Sequence, residues 1–256
     1  MQEGSLIARF ARARRDPELA VLEGFHPLKH ALRFGADLLE VVCRDVEALE
    51  QLAARLAPDV AQRIHELARA VEGEVFEALA PLPPSTGVVA LARRPAVALE
   101  AVLADAREQP IVLLEDPRDL GNLGACVRVA AAADAAGVLS TGSHDPWAPD
   151  ALRGAAGLHF AVAVARLPEL GALGPATTHG RALLALDPDG EPLVPHALPA
   201  RAVLAFGSER QGLSDELLRR ADARVRIPMR AGVSSLNLAT SVAAVLFARR
   251  LSAAPD

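Results

Sequence analysis

The chain has 256 residues, 51% of them hydrophobic, and a formal net charge of −5. That length can bury a large core in one domain or two, and no apolar run of about eighteen residues is present to cross a bilayer as a helix. The negative balance excludes a protein that coats nucleic acid indiscriminately. Met1–Ser5 lacks the basic-then-apolar layout of a secretory signal. Cys43 and Cys126, far apart and each in an apolar setting, read as buried free thiols of a reducing, cytoplasmic compartment. His26 and His30 flank Pro27 and are joined by no cysteine or carboxylate cluster, so no metal site is expected.

The first third reads as a small α/β module. Residues 5–15 form a short helix whose Arg9, Arg12, Arg14 and Arg15 make a basic patch. Lys29 is the only lysine, so nearly all positive charge is guanidinium, the group suited to planar phosphate contacts. A chain-wide preference for arginine accounts for the patch equally well. Leu19–Gly24 is a strand, His26–Phe34 a helix stopped by Gly35, and Leu38–Cys43 a second strand. Asp45 caps a helix over 46–56, and Pro58 opens another over 59–71. A further helix covers 74–79, Pro81–Gly87 is a break, and Val88–Leu91 is a strand. Glu23 and His26 beside Gly24 are read as a turn with ordinary solvated side chains. The amphipathic segment 96–106 is a helical connector, placing the boundary between domains 1–104 and 105–256.

The second domain opens with Ile111–Glu115, a buried parallel strand. A turn through Asp116–Gly124 leads to a helix over 125–135, in which Arg128 is a costly residue unless partnered or facing a cleft, an exposed place on the solvent face being the equal alternative. Gly121 and Gly124 fit neither a dinucleotide-binding fingerprint nor a P-loop. Residues 137–141 are a second strand. Trp147, in a Pro-bounded loop, is read as packing, and a short helix follows to Ala156. Strands are expected over 160–164 and 181–186 with a helical or coiled link, and over 201–206. That last strand delivers Gly207-Ser208-Glu209-Arg210-Gln211-Gly212-Leu213-Ser214. Asp215 and Glu216 suit the first turn of a helix, whereas Glu209 stands before that turn. A strand over 224–227 ends at Pro228. Gly232 allows a left-handed backbone, and Ser234 or Ser235 is expected to cap a terminal helix apolar enough to be buried. The polar start of that helix, with Ser235 and Asn237, would then face a pocket.

Three motifs thus stand in order, each at the end of a predicted strand. They are Asn122-x-Gly124-x-x-x-Arg128, then Gly207-Ser208-Glu209-x-x-Gly212-Leu213-Ser214, then Ile227-Pro228-Met229 with Ser235-Leu236-Asn237-Leu238-Ala239. Over residues 110–250 this series resembles the SpoU (TrmH-type) branch of the SPOUT RNA methyltransferases. The resemblance implies a ribose 2′-O-methyltransferase using S-adenosylmethionine, with ribosomal RNA favoured over transfer RNA. It further implies an α/β fold with a parallel sheet, helices on both faces and a C-terminal deep trefoil knot. The small N-terminal domain would recruit RNA, and the protein would be a homodimer. Carried onto this chain, the cofactor residues are Gly207, Ile227 and Leu236, with Met229 and Thr141 as weaker candidates. Arg128 would act at the ribose hydroxyl, and Asn122, Glu209, Ser235 and Asn237 would orient nucleotide, arginine and cofactor. Asp119 stands where the family often has an amide, and the lead-in from Asp116 is longer than usual. Two rivals are a catalytically silent member that binds the cofactor or RNA, and an unrelated doubly wound nucleotide binder.

Overall fold

The structure, a computed structural model, describes residues 3–173 and 178–252. Residues 174–177, within the link expected between two strands of the second domain, lie outside the described residues. The chain divides into two compact units, Met1–Ala96 with Trp147–Ala161, and Val97–Pro146 with Val162–Asp256. Relative to the 104/105 boundary read from sequence, α6 (Leu99–Ala104) packs with the second unit and segment 147–161 with the first.

In the first unit the elements run α1 (Glu3–Ala13), β1 (Leu19–Glu23), α2 (Phe25–Arg33), β2 (Leu38–Cys43), α3 (Val46–Leu56), α4 (Ala61–Leu67), β3 (Ala68–Ala70), α5 (Gly73–Leu79) and β4 (Val88–Arg93). The sheet order is β1-β4-β2-β3, with β4 antiparallel to both neighbours and β3 parallel to β2. Phe10, Phe76, Val42, Val89 and Leu91 form its core. Asp45 caps α3 by accepting from the Ala48 amide, as its position before the apolar period predicts. The helix expected over 59–71 ends early. Its last residues pair with the free edge of β2, and sheet hydrogen bonds there outweigh a local alanine-rich helical preference.

Glu23 corrects the reading of a solvated turn. Its side chain is only 4% exposed and is held by Arg14 at 2.6 Å and by Arg153 at 3.0 Å. A carboxylate buried to that extent needs such partners. Arg9 is likewise committed to Glu40, at 2.8 Å. Half of the N-terminal basic patch is therefore structural, leaving Arg12 and Arg15 exposed. Trp147 packs against His159 and Phe160, with ring centroids 5.0 and 5.3 Å away. His30 Nδ1 donates to the Ala156 carbonyl at 2.7 Å, and burial holds its pKa below the ordinary imidazole value.

The second unit contains α6, β5 (Ile111–Leu114), α7 (Leu120–Ala132), β6 (Gly137–Ser140), β7 (Val164–Arg166), β8 (Ala182–Pro192), β9 (Ala202–Phe206), α9 (Asp215–Arg220), β10 (Ala223–Arg226) and α10 (Leu238–Ser252); α8 (Pro149–Gly154) belongs to the first. Six strands in the order β10-β8-β9-β5-β6-β7 pair parallel throughout. Strands β5 and β9 are buried along their whole length, as unbroken apolar runs in a covered parallel sheet should be. The strand expected over 160–164 is displaced: 158–160 is a short 3-10 turn and β7 begins only at Val164. Helix α7 starts five residues earlier than expected, because Asp119 accepts from the Asn122 amide and caps it.

Helix α10 differs in two ways from its sequence reading. Its cap is Asn237, whose Oδ1 accepts from the amides of Ala239 and Thr240 at 2.9 and 3.3 Å, and neither Ser234 nor Ser235 fills that place. Only one face is buried, through Leu238, Val242, Val245 and Leu246. Thr240 and Phe247 are open and Leu251 is 84% exposed.

Arg181 fixes one end of this unit. It is 3% exposed and donates to the carbonyls of Leu103, Asp105 and Gln109 at 3.1, 2.6 and 2.8 Å. Arg181→Met removes the donors and strands those carbonyls, which is expected to lower the unfolding free energy by about 3 kcal/mol. Urea denaturation measures this, and an unchanged midpoint would show that the clamp contributes nothing.

Candidate active site

The parallel sheet delivers the middle of β8 and the chain ends of β9 and β10 to one cleft, the usual place for a ligand in such sheets. A cavity of about 970 Å³ lies there, lined among others by Gly207, Glu209, Ile227, Met229, Ser235 and Leu236. Its volume suits a ligand the size of a nucleoside derivative. Gly207 has a definite steric role. A Cβ there would overlap the backbone of Gly212 and Leu213, so the chain after β9 folds back tightly upon itself. Ser208 and Gly212 close that fold by exchanging backbone hydrogen bonds of 3.1 and 3.0 Å. The close approach that Gly207 permits is thus first to its own loop.

A chain of side-chain amides ties this loop to the two others. Asn237 commits its oxygen to the amides of α10, so its Nδ2 points outward and donates to Asn122 Oδ1 at 3.0 Å. That fixes the orientation of the Asn122 amide, whose Nδ2 donates to Glu209 Oε1 at 2.8 Å. Asn122 can reach both ways because it sits in the first turn of α7, held by its backbone to Asp119 at 2.7 Å. Three residues singled out from separate motifs are therefore one connected network.

A second tie, absent from the sequence reading, comes from Glu115 at the end of β5. Its carboxylate accepts from Ser214 N and Oγ at 2.7 and 2.6 Å, while Ser214 Oγ caps α9 through the Leu217 amide at 3.2 Å. The cue was present: a carboxylate closing a buried strand, at the head of the turn that leads into the first motif. Cys126 lies on the inward face of α7, its thiol held protonated by burial and by the nearby Glu209 charge.

Two other predicted residues stand apart from the cavity. Thr141 Oγ1 accepts from the Asp116 amide at 2.9 Å, joining the chain after β6 to that after β5, and Thr141 does not line the cavity. Arg128 does not line it either. Its side chain is exposed on a stripe of α7 shared with Gly121 and Ala132, and it has no hydrogen-bond or ion-pair partner among the described residues.

Residues 109–247 match the model of the SpoU rRNA Methylase family. The chain belongs to that family. It is 38% identical over 174 residues to an uncharacterized tRNA/rRNA methyltransferase of Mycobacterium bovis, an alignment covering 65% of this chain and 60% of that protein. It thus spans less than two thirds of that relative's length. The 23S rRNA (adenosine(1067)-2′-O)-methyltransferase of Streptomyces azureus is 27% identical over 93% of this chain and 88% of its own. Among solved structures, the AdoMet-bound rRNA methyltransferase of Sinorhizobium meliloti superposes with a TM-score of 0.75 at 26% identity, covering 97% of this chain and 94% of that one. Within this SpoU chain the family match contains all three motifs and leaves no room for an unrelated doubly wound protein.

Gly207→Ala should displace the 208–212 turn and with it one wall of the cavity. Isothermal titration with S-adenosylmethionine is expected to show affinity reduced at least about ten-fold, since a backbone overlap has no flexible side chain to absorb it. Unaltered affinity would detach this turn from ligand binding.

Proposed function

We propose that this SpoU protein transfers a methyl group from S-adenosylmethionine to a ribose 2′-hydroxyl of structured RNA, with ribosomal RNA favoured over transfer RNA. The observation that carries the proposal is the Asn237–Asn122–Glu209 chain at the edge of a cavity lined by Gly207, Ile227 and Leu236. The names of the relatives, one of them a 23S ribosomal RNA 2′-O-methyltransferase, support the substrate class.

The residues fit the cofactor. Ile227, Met229 and Leu236 offer apolar surface to adenine, and the tight backbone around Gly207 presents amides and carbonyls to its edge. When bound, S-adenosylmethionine supplies a methyl group on a sulfonium. The chain's own work is to hold a sugar oxygen in line with that group, and positioning of this kind supplies much of the acceleration. A guanidinium offers N–H donors and no acceptor, so Arg128 holds a phosphate and stabilises the developing alkoxide while the hydroxyl proton passes to phosphate or water. Asn122, Glu209, Ser235 and Asn237 orient the nucleotide, and the start of α10 adds a positive dipole end.

The reading includes a homodimer. Arg128 has no partner among the described residues and lies outside its own cavity, while Phe247 and Leu251 leave apolar surface open on α10, which packs on α7. A second copy seated on this face would cover the apolar stripe and receive Arg128 at its own cavity. The reading also includes a deep trefoil knot in 105–256, an RNA-recruiting role for 1–104 using the exposed Arg12 and Arg15, and a cytoplasmic location. No described helix is long and apolar enough to cross a membrane.

Arg128→Ala is expected to cut turnover on unmodified ribosomal RNA about 10²–10³-fold with cofactor affinity retained. Wild-type protein that binds the cofactor yet transfers no methyl to any RNA would favour the catalytically silent alternative. Mixing Arg128→Ala with a Gly207→Ala variant should restore part of the activity if each site draws on two chains. Activity no higher than that of either variant alone would contradict the shared site.

A further inference from the structure

The carboxyl ends of β5, β6 and β7 carry a cluster that the cofactor cavity does not use. Asp116, just after β5, has φ +46°, a left-handed conformation uncommon for a residue with a side chain. Gly142, just after β6, has φ +85°, and a Cβ there would overlap the Asp116 carboxylate. Thr141 completes the clasp by accepting from the Asp116 amide at 2.9 Å. Two arginines are fastened to it. Arg118 Nη2 pairs with Asp116 Oδ2 at 2.5 Å, and Arg166 Nη2 donates to the Gly142 carbonyl. Each guanidinium uses one terminal nitrogen on the clasp. Both side chains remain exposed.

The register sets where this cluster lies. Leu114 is level with both Phe206 and Ser140, and Ser140 is level with Arg166. The arginines therefore share one sheet edge with Gly207, which follows Phe206 directly. Arg166 is three strand spacings from Phe206, about 14 Å. A backbone kept in a sparsely populated conformation needs a reason. Here its effect is to present two guanidinium forks, each with free N–H donors, beside the mouth of the site. Such forks match the oxygens of a phosphodiester, and arginine holds them in a fixed plane.

We infer that Arg118 and Arg166 together bind a backbone phosphate of the RNA next to the nucleotide being methylated. This assignment rests on the RNA methyltransferase reading and makes that reading more specific. It gives Asp116, Thr141 and Gly142 a positioning role, since they act only through the two arginines. Arg128 contributes to the reaction, whereas this pair contributes to grip.

The test is binding of an unmodified 23S ribosomal RNA transcript across a salt series by wild type, Arg118→Ala, Arg166→Ala and Arg166→Lys. Each alanine variant is expected to bind about ten-fold more weakly and to flatten the log affinity against log salt slope by about 0.7–0.9. Arg166→Lys should keep the slope and lose part of the affinity. S-adenosylmethionine titration should give the wild-type affinity in all four. Alanine variants with the full wild-type slope, from an enzyme that methylates the transcript, would overturn the phosphate site alone. Loss of cofactor affinity in parallel would overturn it in favour of a structural role, and a wild type that binds no RNA would overturn both readings.

Discussion

The side-chain amide of Asn122 is the joint on which the rest of this site depends. It receives a hydrogen bond from Asn237 and gives one to Glu209, at 3.0 and 2.8 Å. A single group thereby links the first turn of α7, the cap of α10 and the loop after β9. An aspartate of the same shape lacks the donor for Glu209 and would set two carboxylates against each other. An alanine would leave Asn237 and Glu209 without their partners. The amide works because it is donor and acceptor at once, and because both of its neighbours fix which end is which.

The joint can be held this way because the sheet beneath it is rigid. Strands β5 and β9 are wholly buried neighbours with Leu114 level with Phe206, so the loops leaving them start from fixed points. Glu115 then ties the far end of the second loop, at Ser214, back to the end of β5. Gly207 allows that loop to close on itself. Packing in the core is thus converted into placement at the surface, the arrangement expected where function requires geometry better than a flexible loop provides.

Much of this was legible in the sequence. Buried parallel strands announce themselves as short apolar runs, and β5 and β9 lie where those runs predict. Asp45 is a cap that sequence position alone identifies. Motif order brought Asn122, Glu209 and Asn237 to attention before any geometry was known, and the structure connects them. What escaped was set by distant partners. Ala68–Ala70 is a strand only because β2 has a free edge, and Glu23 is buried only because Arg14 and Arg153 reach it. Thr141 could be ranked as a cofactor residue because nothing local shows that its hydroxyl is engaged by Asp116. Helix α10 buries only the face with Leu238, Val242, Val245 and Leu246, a division that the alanines on its other faces hide from the apolar pattern.

In the proposed reaction the cavity and its three tied loops place a donor methyl beside a ribose oxygen. The most direct measurement is to incubate the purified protein with unmodified ribosomal RNA and methyl-labelled S-adenosylmethionine, digest the RNA with alkali and locate the label. Because 2′-O-methylation blocks cleavage of the adjoining phosphodiester, the account predicts label in an alkali-resistant dinucleotide at a defined position. Label recovered on the base of a mononucleotide would contradict it.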